Sequence, residues 1–245
     1  YGAILGLKLF KYPPGIIIED ASVRDLWFLL NYIVKFRHKV VTFVLEAFPG
    51  SDEKLISRFL FRRYFKNVHS VIVASKFMKS WVIKMGADCH RVHIIPDAGR
   101  VKGNGFIQKQ SENPVRILCV AHIRSNKGQD VLLKALAMLP RGKFQVRLAG
   151  AVKDPLYKAK VVKLIKEYCL KDEVVWLGML GKEALIKEYE EADIFVLPTY
   201  REGFGQVILE AMSFGLPVIT SRVGAIPELI EHMKSGLFVD IGNSG

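Results

Sequence analysis

A chain of 245 residues, 50% hydrophobic and 24% charged, has room for two modest domains or one large one and the composition of a soluble globular protein with a substantial core. Three cysteines, Cys89, Cys119 and Cys169, an odd number without paired spacing, argue against a disulfide framework and for a reducing, cytoplasmic setting. No apolar run reaches about 18 residues and no signal-peptide pattern opens the chain, so neither a transmembrane helix nor a leader is expected.

The formal net charge of +12 is unevenly placed, because residues 1–110 hold 18 Lys and Arg against 8 acids while the remainder holds 18 against 16. The first half therefore attracts anions, and nucleic acid, an anionic membrane surface and a phosphorylated substrate all satisfy that charge.

In chain order, the hydrophobic pattern predicts a strand over 15–19, a helix over about 22–39 and a β-branched strand over 40–45. Ser51 or Asp52 caps a helix reaching Lys66, a strand follows over 68–74, Ser75 caps a helix that stops at Gly86, and a strand over 92–95 ends at Pro96. Residues 97–114, rich in Gly, Asn, Gln, Ser and Pro, read as a linker. The alternation then resumes with strands over 115–120, 144–148, 174–177, 194–197, 217–220 and 237–239, separated by helices over 128–139, 155–170, 182–191, about 206–215 and 226–232. Strands alternating with helices imply parallel sheets covered on both faces. The expected fold class is α/β, with two Rossmann-like doubly wound parallel-sheet domains at 1–106 and 107–245 and a cleft between them. Residues 1–10 read as the middle of a domain and the end at Asn243-Ser244-Gly245 lacks a closing helix, so truncation at both ends is expected.

Two stretches could carry chemistry. Glu202-Gly203-Phe204-Gly205-Gln206-Val207-Ile208-Leu209-Glu210 follows the apolar run 194–197 and opens a helix, which points unpaired helix-start amides into the crevice at the carboxyl end of a strand. Glu210 stands in an apolar row, so either it faces an enclosed space and needs a hydrogen-bonding partner, or it is a solvated surface acid. The second stretch, His122-Ile123-Arg124-Ser125-Asn126-Lys127-Gly128, is again strand, loop and helix start. It suits a diphosphate through Lys127, His122, Arg124 and backbone amides, and it equally suits a polar loop whose lysine faces water.

These residues resemble the retaining GT-B glycosyltransferases of family 4, the glycosyl transferases group 1. Glu202-Gly203-Phe204-Gly205 with Glu210 fits their E-x7-E motif, Gly215-Leu216-Pro217-Val218 and Gly224-Ala225-Ile226-Pro227-Glu228 fit the two segments after it, and Lys127-Gly128 and Trp176-Leu177-Gly178 fall in the right order. The resemblance is specific over 115–240 and one of pattern over 1–110. It implies transfer of a sugar from a UDP- or GDP-sugar donor with retention and no obligatory metal. Glu202 would contact donor-sugar hydroxyls, Glu210 the nucleotide ribose and Lys127 the diphosphate, with Glu202 and Lys127 in the catalytic role; Gly203, Phe204, Gly205 and Gln206 would offer backbone amides.

Several positions depart from the family pattern. His122 stands where Arg is usual, and a neutral imidazole is the weaker phosphate partner. Leu45-Glu46 replaces a His-Asp pair, Asp97-Ala98-Gly99 replaces an Asn-Gly turn, and residues 1–12 hold no counterpart of the glycine-rich acceptor loop. The acceptor, whether glycan, lipid or small molecule, is not named by the sequence. A non-catalytic nucleotide-sugar binding protein and a sugar phosphorylase or sugar-phosphate synthase on the same fold stand as alternatives.

Elsewhere, Trp27 with Phe28, Leu29, Leu30, Ile33 and Val34 reads as core. The helix over 54–66 mixes cations with aromatics, so it suits either the cytoplasmic face of an anionic membrane or an ordinary packed helix. No reader motif for nucleic acid, metal-ligand spacing or nucleophile elbow appears.

Overall fold

β-branched and apolar runs punctuated by capped helices give parallel pairing throughout. In the computed structural model, residues 16–20, 39–44, 55–96, 99, 101–103 and 114–244 are described, and the chain divides into two units, Tyr1–Asp97 and Ala98–Gly245. The expected helix at 22–39 with Trp27, the positions Leu45-Glu46 and Asp97-Ala98, residues 1–12 and the expected boundary between 106 and 107 lie outside the described residues. Val101 is buried in the core of the second unit.

The first unit carries strands β1 (Ile16–Asp20), β2 (Lys39–Val44), β3 (Ser70–Val73) and β4 (Val92–Ile94), all parallel in the order β1-β2-β3-β4. Burial alternates along β2, with Val40, Thr42 and Val44 inward, as a strand with one face on a core requires. Helix α1 (Leu55–Asn67) and helix α2 (Lys76–Lys84) supply that core. Ser75 accepts the Met78 amide at 3.1 Å and starts α2 where its sequence signal placed it.

Most of the described aromatics of α1 are packed in the core of the first unit. Phe61, Tyr64 and Phe65 are buried, Phe61 meets Trp81 edge-on at 5.4 Å, and Tyr64 Oη lies 2.6 Å from Thr42 Oγ1. Phe59, 64% exposed, faces outward together with Arg62, Arg63 and Lys66.

The second unit is a six-stranded parallel sheet of β5 (Val115–Val120), β6 (Phe144–Ala149), β7 (Val174–Gly178), β8 (Ile194–Leu197), β9 (Val218–Ser221) and β10 (Leu237–Val239), in the order β10-β9-β8-β5-β6-β7. Its helices are α3 (Gln129–Ala137), α4 (Pro155–Glu167), α5 (Lys182–Glu191), α6 (Gln206–Ser213) and α7 (Ile226–Leu229). Leu118, Leu133, Leu148, Phe195, Leu197, Ile208 and Ile226 are fully buried between sheet and helices, each contributing about 1.5–3 kcal/mol. Cys119 belongs to that core, and burial pushes its thiol up to about 12, which makes it inert at neutral pH. Cys89 and Cys169 are exposed and free.

α4 and α7 are among the helices that end before their apolar pattern does. α4, capped by Asp154 accepting the Tyr157 amide at 3.0 Å, ends at Glu167 because Cys169 takes a left-handed φ of 52°. α7 ends at Leu229, and the chain turns through 231–236 with Met233 at φ 66° and Ser235 Oγ accepting the Glu231 amide. No helix among the described residues is long and apolar enough to cross a membrane.

Candidate functional site

The strand order places the site. β5 and β8 are neighbours at the centre of the second sheet, yet the chain leaves β5 toward β6 and leaves β8 toward β9, on opposite sides. The loops that follow them therefore diverge and open a crevice at the strands' carboxyl ends, where doubly wound sheets hold ligands. Those loops, 121–128 and 198–205, are the two stretches singled out by the sequence.

The two loops are stitched to one another. The Asn126 carbonyl accepts the Tyr200 amide at 2.9 Å, and the buried Thr199 Oγ1 lies 2.8 Å from the carbonyl oxygens of both Asn126 and Arg201. Lys127 Nζ donates to Glu202 Oε2 at 2.8 Å, with the two side chains 16% and 15% exposed. The other carboxylate oxygen of Glu202 accepts the Gly203 amide at 3.2 Å. At such exposure a lone ammonium or carboxylate is costly, so each ion is the other's counter-charge.

Close backbone contact fixes both loops. Gly128, at φ 71°, begins α3 where a β-carbon would stand 2.0 Å from the Pro198 carbonyl oxygen, so this junction of the loops admits glycine alone. Gly224, at φ 57°, lies beneath Glu202, and a β-carbon there would stand 1.8 Å from the Glu202 carbonyl oxygen. The Ala225 amide donates to the Gly203 carbonyl at 3.3 Å, so the turn after β9 buttresses the glutamate turn after β8.

The start of α3 is anchored from behind. Gln129, fully buried, donates through Nε2 to the His122 carbonyl at 3.0 Å and draws the loop closed. Tyr157 Oη accepts the Asp130 amide at 3.0 Å and donates to Asp130 Oδ1 at 2.7 Å, while Lys160 reaches Asp130 Oδ2 at 2.6 Å. Burial pulls the Asp130 carboxyl up, but the hydrogen bonds from Lys160 and Tyr157 outweigh it and hold the group below the usual carboxylate range. Asn126 Oδ1 and Gln129 Oε1 are sealed from solvent with no hydrogen-bond partner among the described residues, a cost the loop bears beside the crevice.

Glu210 is 3% exposed on α6 and accepts a hydrogen bond from Tyr189 Oη at 2.9 Å, which answers the expectation of a partner in an enclosed space. Gly99 lies directly against it, and the Gly103 amide donates to Ser213 Oγ at 3.0 Å, so Gly99 and Gly103 both pack on α6.

Of the site residues proposed from sequence, Lys127 and Glu202 are in contact, and Gly203 joins them through its amide. Phe204 and Gly205 are buried in the same turn, and Gln206 is the first residue of α6. Glu210 sits one helix face further on with Tyr189. His122 and Arg124 are exposed on the loop. Sequence reasoning passed over Tyr189, Thr199 and Gln129. The only signal for Gln129 was a polar residue wedged between Gly128 and a helix start, and Tyr189 was hidden among Glu188, Glu190 and Glu191. In the first unit, Asp88, Cys89 and His90 bring three ligand atoms within 4.8 Å of one another on the surface, but the Asp88 carboxylate accepts the His90 amide and pairs with Arg91.

The fold defines a Rossmann-type α/β protein with a crevice at its topological switch point. The chain belongs to the family Glycosyl transferases group 1, whose model matches residues 104–245. It is 29% identical over 195 residues to the amylovoran biosynthesis glycosyltransferase AmsK of Erwinia amylovora, covering 74% of this chain and 46% of that one. It is 32% identical over 121 residues to a D-inositol 3-phosphate glycosyltransferase of Mycolicibacterium smegmatis, covering 49% of this chain and 28% of that one. The chain thus spans less than half the length of these relatives. Its fold matches that of Anabaena Alr3699/HepE, solved in complex with UDP and glucose, with a TM-score of 0.80 at 20% identity over 99% of this chain and 68% of that one. This confirms the expected GT-B class of paired Rossmann-like parallel sheets.

Proposed function

We propose that the second unit is the donor site of a glycosyltransferase that moves a sugar from a UDP- or GDP-sugar to a glycan, lipid or small-molecule acceptor. The observation that carries the reading is the Lys127–Glu202 contact across the β5–β8 crevice, one cation and one acid brought from separate loops to the place where this fold holds ligands. Membership of the group 1 family and the UDP seen in Alr3699/HepE support it.

In this reading the sugar–diphosphate bond breaks while negative charge grows on the departing phosphate. Lys127 and the first-turn amides of α6, with those of Gly203, Phe204 and Gly205, stabilise that charge from fixed positions. Donor entry shares Lys127 between Glu202 and the diphosphate, and frees Glu202 to accept sugar hydroxyls. Glu210 takes the ribose, and His122 and Arg124 stand at the rim as further phosphate partners. The resemblance implies retention at the anomeric carbon and no obligatory metal. Three free cysteines and a nucleotide-sugar donor fit a cytoplasmic location, and the outward Phe59, Arg62, Arg63 and Lys66 of α1 suit contact with an anionic membrane.

The test is turnover of a nucleotide-sugar panel with and without EDTA, following the anomer formed by NMR. Transfer or donor hydrolysis that survives EDTA and falls at least about 100-fold in Glu202→Ala is expected. Nucleotide binding without turnover would return the non-catalytic reading, and a requirement for free phosphate or a sugar phosphate would return the phosphorylase or synthase reading.

A further inference from the structure

Lys127 and Glu202 meet from separate loops, and the backbone of each is held one residue upstream by the same hydroxyl. Thr199, fully buried just after β8, places Oγ1 2.8 Å from the carbonyl oxygen of Asn126, the residue before Lys127. The same atom lies 2.8 Å from the carbonyl oxygen of Arg201, the residue before Glu202. The Arg201 amide also points at it, at 3.4 Å. Backbone contacts fix the threonine itself. Its amide donates to the Leu197 carbonyl at 2.9 Å, and the next amide, of Tyr200, donates to the Asn126 carbonyl at 2.9 Å. On its other side the Pro198 carbonyl lies so close to Gly128 that a β-carbon there would stand 2.0 Å from it.

A hydroxyl carries one hydrogen, so it serves these two carbonyls in turn and not together. At full burial it has no water to turn to, and its β-branched carbon restricts χ1, which keeps Oγ1 between the two loops. The Lys127 Nζ to Glu202 Oε2 contact of 2.8 Å is made above this junction by two long side chains. Their own rotamers leave that contact loose. What sets its reach is the separation of the two backbones, and the threonine hydroxyl bridges them.

We propose that Thr199 is a positioning residue of the donor site: its hydroxyl fixes the span between the backbones that carry Lys127 and Glu202, so that diphosphate and sugar are engaged in one geometry. The inference rests on the reading of Lys127 and Glu202 as the donor contacts. It goes beyond that reading in assigning their registration to a buried side chain outside the pair.

The test uses the full chain as Thr199→Val, which keeps the shape and removes the hydroxyl, and as Thr199→Ser, which keeps the hydroxyl and removes the methyl. Thr199→Cys, a weak donor of similar size, replaces the valine form if that form does not fold. The first readout needs no ligand. The coupling between Lys127 and Glu202, from thermal melts of Lys127→Met, Glu202→Gln and the pair, is expected to fall by at least about half in the valine background and to persist in the serine background. The second readout is turnover of the nucleotide sugar that the parent uses fastest. In Thr199→Val kcat is expected to fall about 10- to 100-fold while the donor KM moves less than about threefold, because the charge that Lys127 meets grows in the transition state. Thr199→Ser should stay within about threefold of the parent. A valine form that only loses Tm, with coupling and kcat intact where it is folded, overturns the proposal, and so does a loss that serine fails to rescue. Lys127→Met and Glu202→Gln forms that keep the parent's turnover and its affinity for UDP or GDP overturn instead the donor-site reading beneath it, so the two failures are told apart.

Discussion

Gly224 offers the sharpest perturbation of the glutamate turn, because it touches Glu202 through backbone alone. In Gly224→Ala the new methyl would stand 1.8 Å from the Glu202 carbonyl oxygen and 2.9 Å from its carbonyl carbon. Relief to an ordinary contact of 3.4 Å or more requires the two segments to part by about 1.6 Å, the difference between 3.4 and 1.8 Å. The opposing atoms are backbone, already tied by the Ala225–Gly203 hydrogen bond, and cannot rotate aside. A left-handed φ of 57° adds about 1–2 kcal/mol for a residue with a β-carbon, and overpacking adds about 1–3 kcal/mol. A stability loss of about 2–5 kcal/mol follows, and because a misplacement of about 1 Å already costs about 100-fold in turnover, the shift at Glu202 costs at least that much. Gly142→Ala is the control, since Gly142 has φ 70° and open space around its missing β-carbon. It should lose only the strain, about 1–2 kcal/mol, and keep full turnover. Thermal melts and donor turnover of the two variants check this; equal losses in both would refute the claim that Gly224 holds Glu202 in place.

Three further outcomes are expected. In a double-variant cycle of Lys127→Met and Glu202→Gln, thermal melts should give a coupling of about 1–2 kcal/mol that shrinks in 1 M salt, and calorimetry should show Lys127→Met weakening nucleoside diphosphate binding at least about tenfold. Asp130→Asn should cost about 1–3 kcal/mol at neutral pH. Because the folded Asp130 carboxyl is held below its unfolded value near 3.9, the gap between parent and variant should stay constant from about pH 8 to 5 and close only as the pH falls below about 4, which urea melts at several pH values measure. Ser75→Ala should remove the α2 cap at a cost of about 1 kcal/mol in a melt and leave nucleotide binding untouched.

What the sequence reveals and what it hides divide along physical lines. β5, α5, β8 and β10 fall where periodicity and turn residues put them, because a parallel strand draws on a predominantly apolar run and the Gly or polar residues between the runs mark where each element starts and stops. The two crevice loops were legible for the same reason, as each follows such a strand and opens a helix. Helix ends were less so. α4 stops short because Cys169 adopts a left-handed turn that no local residue type announces, and α7 stops because the tertiary turn at 231–236 captures its continuation. The aromatics of α1 showed an amphipathic mixture without showing which side met Trp81 and Thr42. The contact between Lys127 and Glu202 spans 75 positions and depends on β5 and β8 being adjacent, a fact of strand order that spacing alone does not encode. Tyr189 was invisible for a related reason, since its partner Glu210 lies on another helix and its own neighbours are acids, of which Glu188 and Glu191 pair with Arg147 and Arg116 and Glu190 faces water.

A nucleoside diphosphate is expected to bind at the mouth of β5 and β8. A crystal structure of the full chain soaked with UDP or GDP tests it most directly. The diphosphate is expected within hydrogen-bonding distance of Lys127 Nζ and the amides opening α6, with the ribose over Glu210. A nucleotide seated instead in the surface groove of about 460 Å³ lined by Arg222, His232 and Phe238, or one that leaves the Lys127–Glu202 crevice without contact, would contradict it.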